Sequence, residues 1–137
     1  MYTYQETKNA LIANTKEYLS FVVKCLHNEA YAEAVNNLLP FDNFAQARLR
    51  IHDDASALKS IGIAVMRMEF EPPVLSFGIS IEIAEGENNQ PVNTTILISA
   101  GKTLEELRTY VQTDHFLSQV KENFEKQIEL SFHSNNK

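Results

Sequence analysis

The chain is poor in the residues that staple, break or anchor a protein. Its 137 residues include one cysteine, no tryptophan, four glycines and four prolines. One cysteine cannot close an internal disulfide, so a disulfide-stapled secreted scaffold is excluded. No low-complexity tract or linker interrupts the sequence. No run approaches the roughly eighteen apolar residues that a membrane-spanning helix needs. The segment Met1–Thr7 has no basic cluster, and Phe21-Val22-Val23 ends at Lys24, too short for a signal-peptide core. The expectation is an intracellular, cytoplasmic protein with no membrane partner. Basic residues are also scarce: 12 Lys and Arg face 18 Asp and Glu, a net charge of −6. That balance argues against binding a nucleic-acid backbone.

What is present is an ordinary globular core. Apolar residues make up 44% of the chain. The length suits a single domain over residues 1–137. From Tyr4 to Leu39 there is no Gly or Pro. Leu11, Thr15, Tyr18, Val22 and Leu26 recur at helical spacing, with Leu19 and Cys25 beside them. His27-Asn28-Glu29 interrupts the stripe, and Asn28 suits the cap of a second segment ending before Pro40. One kinked helix or two in line are expected.

The next stretch, residues 41–60, reads less simply. Ala47 to His52 alternates apolar and basic residues, the period of a half-buried strand. A short helix capped by Asp42 is the alternative. A helical turn at Ala55–Lys59 is expected to follow. Ile61–Phe70, Val74–Ala84 and Val92–Ala100 read as strands, the first two joined at Glu71-Pro72-Pro73. Pairing about the prolines sets Phe70 against Leu75, Met68 against Phe77 and Met66 against Ile79. Thr103 with Glu106 forms a capping box for a C-terminal helix. Leu104, Leu107 and Val111 form its inner face, and Thr113-Asp114 a break. Leu117, Val120, Phe124 and Ile128 carry the stripe on, before a polar tail from His133. The fold class is α+β: an antiparallel meander of three to four strands, flanked by a long N-terminal helix and a C-terminal helical segment.

Chemical motifs are thin. Gly101-Lys102-Thr103 resembles the end of a phosphate-binding loop, but Ile96 stands where that loop needs glycine. Glu105 and Glu106 would repel an anion there, so a capped strand-to-helix turn explains the motif. Cys25 and His27 sit two residues apart on a helix and point about 200° away from each other. His52-Asp53-Asp54 could bind a metal, yet a turn with Asp as cap accounts for it. Glu82, Glu85, Glu87, Asn88 and Asn89 are rich in oxygen, but their order does not match a calcium loop. His115 and His133 lack partners at zinc spacing. Arg48, Arg50, His52 and Arg67 would form at most a small basic patch. No catalytic residue, metal ligand or cofactor is assigned.

Two functional leads remain. On the predicted register, Ile61, Ile63 and Val65 share the outer face of the sheet with Ser76, Gly78, Ser80, Thr95 and Leu97. A flat strip of Ile63, Val65, Gly78, Ser80 and Leu97 would suit a second subunit or another protein partner. Cover by the chain's own first helix, or by the Phe41–Ser60 segment, is the competing explanation. The second lead is a ligand pocket between sheet and helices at Met66, Met68, Phe70 and Phe77. A packed core accounts for those four residues better, since Met and Phe fill irregular gaps between a sheet and helices. In size, acidity and α+β layout, ending in an amphipathic helix, the chain is similar in profile to small acidic chaperones of secreted effectors. That resemblance carries no motif. It implies a chaperone-like version of what the strip suggests: a non-enzymatic interaction or adaptor protein, homo-oligomeric, acting through its sheet face or long helices. A small-ligand-binding or enzymatic domain is the alternative.

Overall fold

The computed structural model describes residues 3–40, 43–53, 55–69, 74–85 and 90–134. Two helices lead: α1 (Tyr4–His27) and α2 (Glu29–Asn36). Four strands follow: β1 (Ala45–Arg50), β2 (Leu58–Met68), β3 (Val74–Glu85) and β4 (Gln90–Gly101). Helices α3 (Leu104–Tyr110) and α4 (Asp114–Ser134) close the described chain. The strands form one sheet in the order β1-β2-β3-β4, and every pair is antiparallel. This is the α+β meander that the alternation predicted. None of the described helices is long and apolar enough to cross a membrane.

The helix boundaries follow from capping chemistry. The Thr3 hydroxyl accepts the Glu6 amide at 3.1 Å and opens α1. Asn28 separates α1 from α2 in an extended conformation, and its Oδ1 accepts the Tyr31 amide at 3.0 Å. Two separate helices, rather than one kinked helix, are therefore what the Asn28 cap produces. The Thr103 hydroxyl accepts the Glu106 amide at 3.1 Å. At the second break the cap is Thr113, whose hydroxyl accepts the Phe116 amide at 3.2 Å. Helix α4 continues through His133 to Ser134 rather than ending in a tail at His133.

Two other expectations need correction. The helical turn at residues 55–59 does not form; Asp53 Oδ1 takes the Ala55 amide at 3.0 Å, and β2 begins at Leu58. Such a side-chain turn competes with helix for the same amides. The larger correction concerns register. Val65 faces Phe77, Ile63 faces Ile79 and Ile61 faces Ile81, so β2 is displaced by three residues from the prediction. Because side chains alternate with period two, an odd displacement exchanges the faces. Ile61, Ile63 and Val65 lie in the core, at most 2% exposed. Met66 and Met68 pair with Ser76 and Val74 on the opposite face and are half-buried. The physical reason is in β2 itself. Its other alternation, Ser60, Gly62 and Ala64, offers the core little apolar area, whereas Leu58, Ile61, Ile63 and Val65 offer a full wall. The prolines that anchored the predicted pairing, with Phe70, lie outside the described residues.

The core fills the space between this wall and the helices. Leu11, Tyr18, Val22 and Leu26 come from α1, and Phe116, Val120, Phe124 and Ile128 from α4. Phe77 meets Phe116 edge-on, ring centroids 5.4 Å apart, and Tyr18 lies 5.6 Å from Phe124. Several polar side chains in or beside the core bond from one element to another. Tyr18 Oη donates to the Gly62 carbonyl at 3.2 Å, and Gln127 Nε2 to the Ile79 carbonyl at 3.1 Å. Tyr31 Oη donates to the Ala45 carbonyl at 2.7 Å, fastening α2 to β1. Arg108 Nε donates to the Leu26 carbonyl at 2.8 Å, fastening α3 to the end of α1.

The register makes a paired prediction. Val65→Glu should cost about 4 kcal/mol or more, because it buries an unpaired carboxylate. Met66→Glu, one residue along on the other face, should cost about 1 kcal/mol or less. Urea melts of the two variants check this, and equal losses would contradict the register.

A second prediction concerns alkaline pH. Burial is the main cause holding the Tyr18 and Tyr31 phenols above the ordinary tyrosine range. In the unfolded chain they ionise near pH ~10, while in the folded chain they keep their protons. The unfolded state then binds fewer protons, so stability is full below pH ~10 and falls above it. Tyr18→Phe should flatten that fall, as read from urea midpoints across the alkaline range.

Candidate functional site

The four helices pack on the wall side of the sheet, and this sets what the other side can do. The open face carries Gln46, Arg48 and Arg50 from β1, and Ser60, Gly62, Ala64, Met66 and Met68 from β2. From β3 it carries Val74, Ser76, Gly78, Ser80 and Glu82, and Leu97 takes the register position beside Gly78. The predicted strip therefore divides. Gly78, Ser80 and Leu97 share the open face, while Ile63 and Val65 belong to the core. The predicted pocket divides as well. Phe77 is fully buried in the core, Met66 and Met68 lie across the sheet from it, and Phe70 is outside the described residues.

The open face holds a charge relay. Arg48 Nη1 donates to Ser60 Oγ at 2.6 Å, and Arg48 Nη2 donates to Ser80 Oγ at 3.0 Å. Ser60 Oγ in turn donates to Glu82 Oε1 at 3.0 Å. One serine hydroxyl thus links an arginine on β1 to a carboxylate on β3 across the intervening strand. Ser60 is fully buried, so satisfying its hydroxyl on both sides avoids the cost of an orphaned polar group. Gly62 makes the geometry possible. A Cβ there would stand 2.6 Å from Ser80 Oγ and 3.2 Å from Arg48 Nη2. The guanidinium therefore passes close over the glycine. Beside it a shallow cavity of about 550 Å³ is lined by Phe44, Gln46, Arg48, Ala64, Gly78 and Ser80. Phe44 is 46% exposed at its edge.

This arrangement suits recognition better than bond-breaking. A guanidinium already held by two hydroxyls is a fixed donor array, and flanking small residues admit a close surface. The other sequence candidates stay apart. Arg67 sits opposite Leu75 on the core side, away from Arg48 and Arg50, so the basic patch is not assembled. Cys25 is half-buried, and burial pushes its thiol up, away from nucleophilic character. His27 is exposed at the end of α1, its ring nitrogen 3.0 Å from the Val23 carbonyl. Lys102 and Thr103 are exposed, and the Thr103 hydroxyl is engaged with α3. Among the described residues no group of three His, Cys, Asp or Glu side chains converges as a metal site would.

Sequence reasoning missed Ser60 and Glu82 as parts of one unit. The only signal was the pairing itself: Arg50, Ser60, Glu82 and Asn93 form one row across the four strands, and Arg48, Gly62, Ser80 and Thr95 the next. Comparison with protein-family models, with curated proteins and with solved structures returns no match.

The relay is testable. Gly62→Ala should cost about 1–2 kcal/mol, because the Ser80 hydroxyl must leave Arg48 to make room. Introduced into a Ser80→Ala background, the same change should cost measurably less. A double-mutant cycle on urea stability reads the difference, and strictly additive losses would refute the contact.

Proposed function

We propose that this is a non-enzymatic protein-interaction module of adaptor or chaperone-like type, which associates with a second copy of itself through the open face of the sheet. The observation that supports it is the one-sided helical layer. It leaves one face of the sheet open, with small residues on β2 and β3, half-buried Met66 and Met68, and the fixed Arg48–Ser60–Glu82 relay. Small residues permit close approach, and methionine adapts to the surface it meets.

The charge layout favours a second copy. Arg48 and Arg50 stand on the β1 side and Glu82 toward the β4 side. A two-fold axis parallel to the strands sets β1 of one copy over β4 of the other, and β2 over β3. The basic side of each copy then approaches the acidic side of its mate. An axis across the strands would stack arginine on arginine. Closed, isologous contacts of the first kind are self-complementary. The reading keeps the cytoplasmic setting expected from the sequence, and it includes no nucleic-acid partner because of the acidic composition.

The expected result is a particle of twice the 15.6 kDa chain mass by light scattering. Ala64→Arg, on the open face and only half-buried, should give the single-chain mass with little change in thermal stability. A wild-type chain that stays single at high concentration overturns the dimer.

A further inference from the structure

The helical layer has a second surface, turned away from the sheet. A groove of about 580 Å³ runs there between α1 and α4. Its floor is Leu11, Phe124 and Ile128, none more than 4% exposed. Leu19 and Leu117 are half-buried in its walls, and Ile12 is 64% exposed at its rim. Ile12, with the half-exposed parts of Leu19 and Leu117, is apolar surface that water covers at a cost.

Three lysines and one carboxylate line the groove: Lys8 and Lys16 on α1, and Lys121 and Glu125 on α4. On a chain of net charge −6 this is a local reversal of sign. Lys8 is bridged to Glu125 at 3.2 Å. Lys16 and Lys121 are exposed and make no ion pair among the described residues. Lysine stems can lie on apolar surface while the ammonium groups stay free for a ligand.

The placement of the charges decides the occupant. Lys8 and Lys16 are eight residues apart on α1, about 12 Å along the axis. Lys121 stands on the opposite wall. A fatty acid brings one carboxylate and would engage one end only. An occupant with several carboxylates along an apolar stripe meets both walls at once. The lined length, Lys8 to Leu19, is about 17 Å, or three helical turns. We infer that the groove docks an acidic amphipathic helix of a partner protein, its apolar stripe on Leu11, Phe124 and Ile128 and its carboxylates toward Lys16 and Lys121. Helix-in-groove recognition uses this division of labour, apolar anchors for affinity and charges for specificity. The groove and the open sheet face lie on opposite sides of the molecule, so the failure of either reading leaves the other standing.

The test uses the full chain and a fluorescent helical peptide of about three to four turns. The peptide has leucines at helical spacing and glutamates flanking them. A matched peptide carries lysines in place of the glutamates. By fluorescence anisotropy, the acidic peptide should bind at least about tenfold more tightly than the basic one. The double variant Lys16→Glu, Lys121→Glu should lose about tenfold for the acidic peptide and gain for the basic one, with an unchanged melting temperature. Ile12→Asp, at an exposed rim position, should also weaken binding, and added salt should weaken the wild-type interaction. No binding of either peptide, equal binding of both, or indifference to the double charge reversal overturns the proposal. So does saturation by sodium laurate with the peptides excluded, or a change in oligomeric mass on Ile12→Asp, which would assign the groove to a second copy.

Discussion

The rest of the molecule depends on one parity, the choice of which alternation in β2 faces the helices. A strand offers two sets of side chains and can bury only one against a single helical layer. In β2 those sets are very unequal. Leu58, Ile61, Ile63 and Val65 form a branched apolar wall, and Ser60, Gly62 and Ala64 a nearly bare surface. Burial of the wall draws Phe77, Ile79 and Ile81 in beside it, because partners across an antiparallel pair share a face. The helices then find a deep apolar bed for Tyr18, Phe116, Phe124 and Ile128. Every later feature follows from this choice, including which residues are left on the open side.

The bare set has its own consequence. Small residues on β2 and β3 leave room above the sheet, and Arg48 uses it. Its guanidinium crosses Gly62 to reach Ser80, while Ser60 carries the interaction on to Glu82. An arginine that would wave in solvent on a surface of larger side chains is here held by two hydroxyls. The same feature that makes the face a poor core wall makes it a shaped, polar and close-approachable surface. Core and candidate interface are thus two readings of one alternation.

The helical layer shows the complementary arrangement. Helices α1 and α4 spend one side of each stripe on the sheet, yet the stripes are wide enough to leave Ile12, Leu19 and Leu117 along a groove outside. Lysines flank that groove although acidic residues dominate the chain. Charge is therefore patterned by surface, and the net value of −6 describes neither the groove nor the open face.

The sequence by itself determined the elements. The stripe from Leu11 to Leu26, the Asn28 cap, the strands around Ile63, Ile79 and Ile96, and the Thr103 capping box all rest on interactions within a few residues. Such interactions are legible because spacing along the chain equals spacing in space. What the tertiary structure alone decided was the register, and with it the sites. A pairing anchored at two prolines gave apolar sets that agreed with each other, yet it placed Ile63 and Val65 outside and Met66 and Met68 inside. The competing register also agrees locally, and it wins because it buries more branched surface against helices more than thirty residues away. The Arg48–Ser60–Glu82 relay and the lysine-lined groove were hidden for the same reason. Each joins side chains from distant segments, and only the packing of strands and helices brings them within reach.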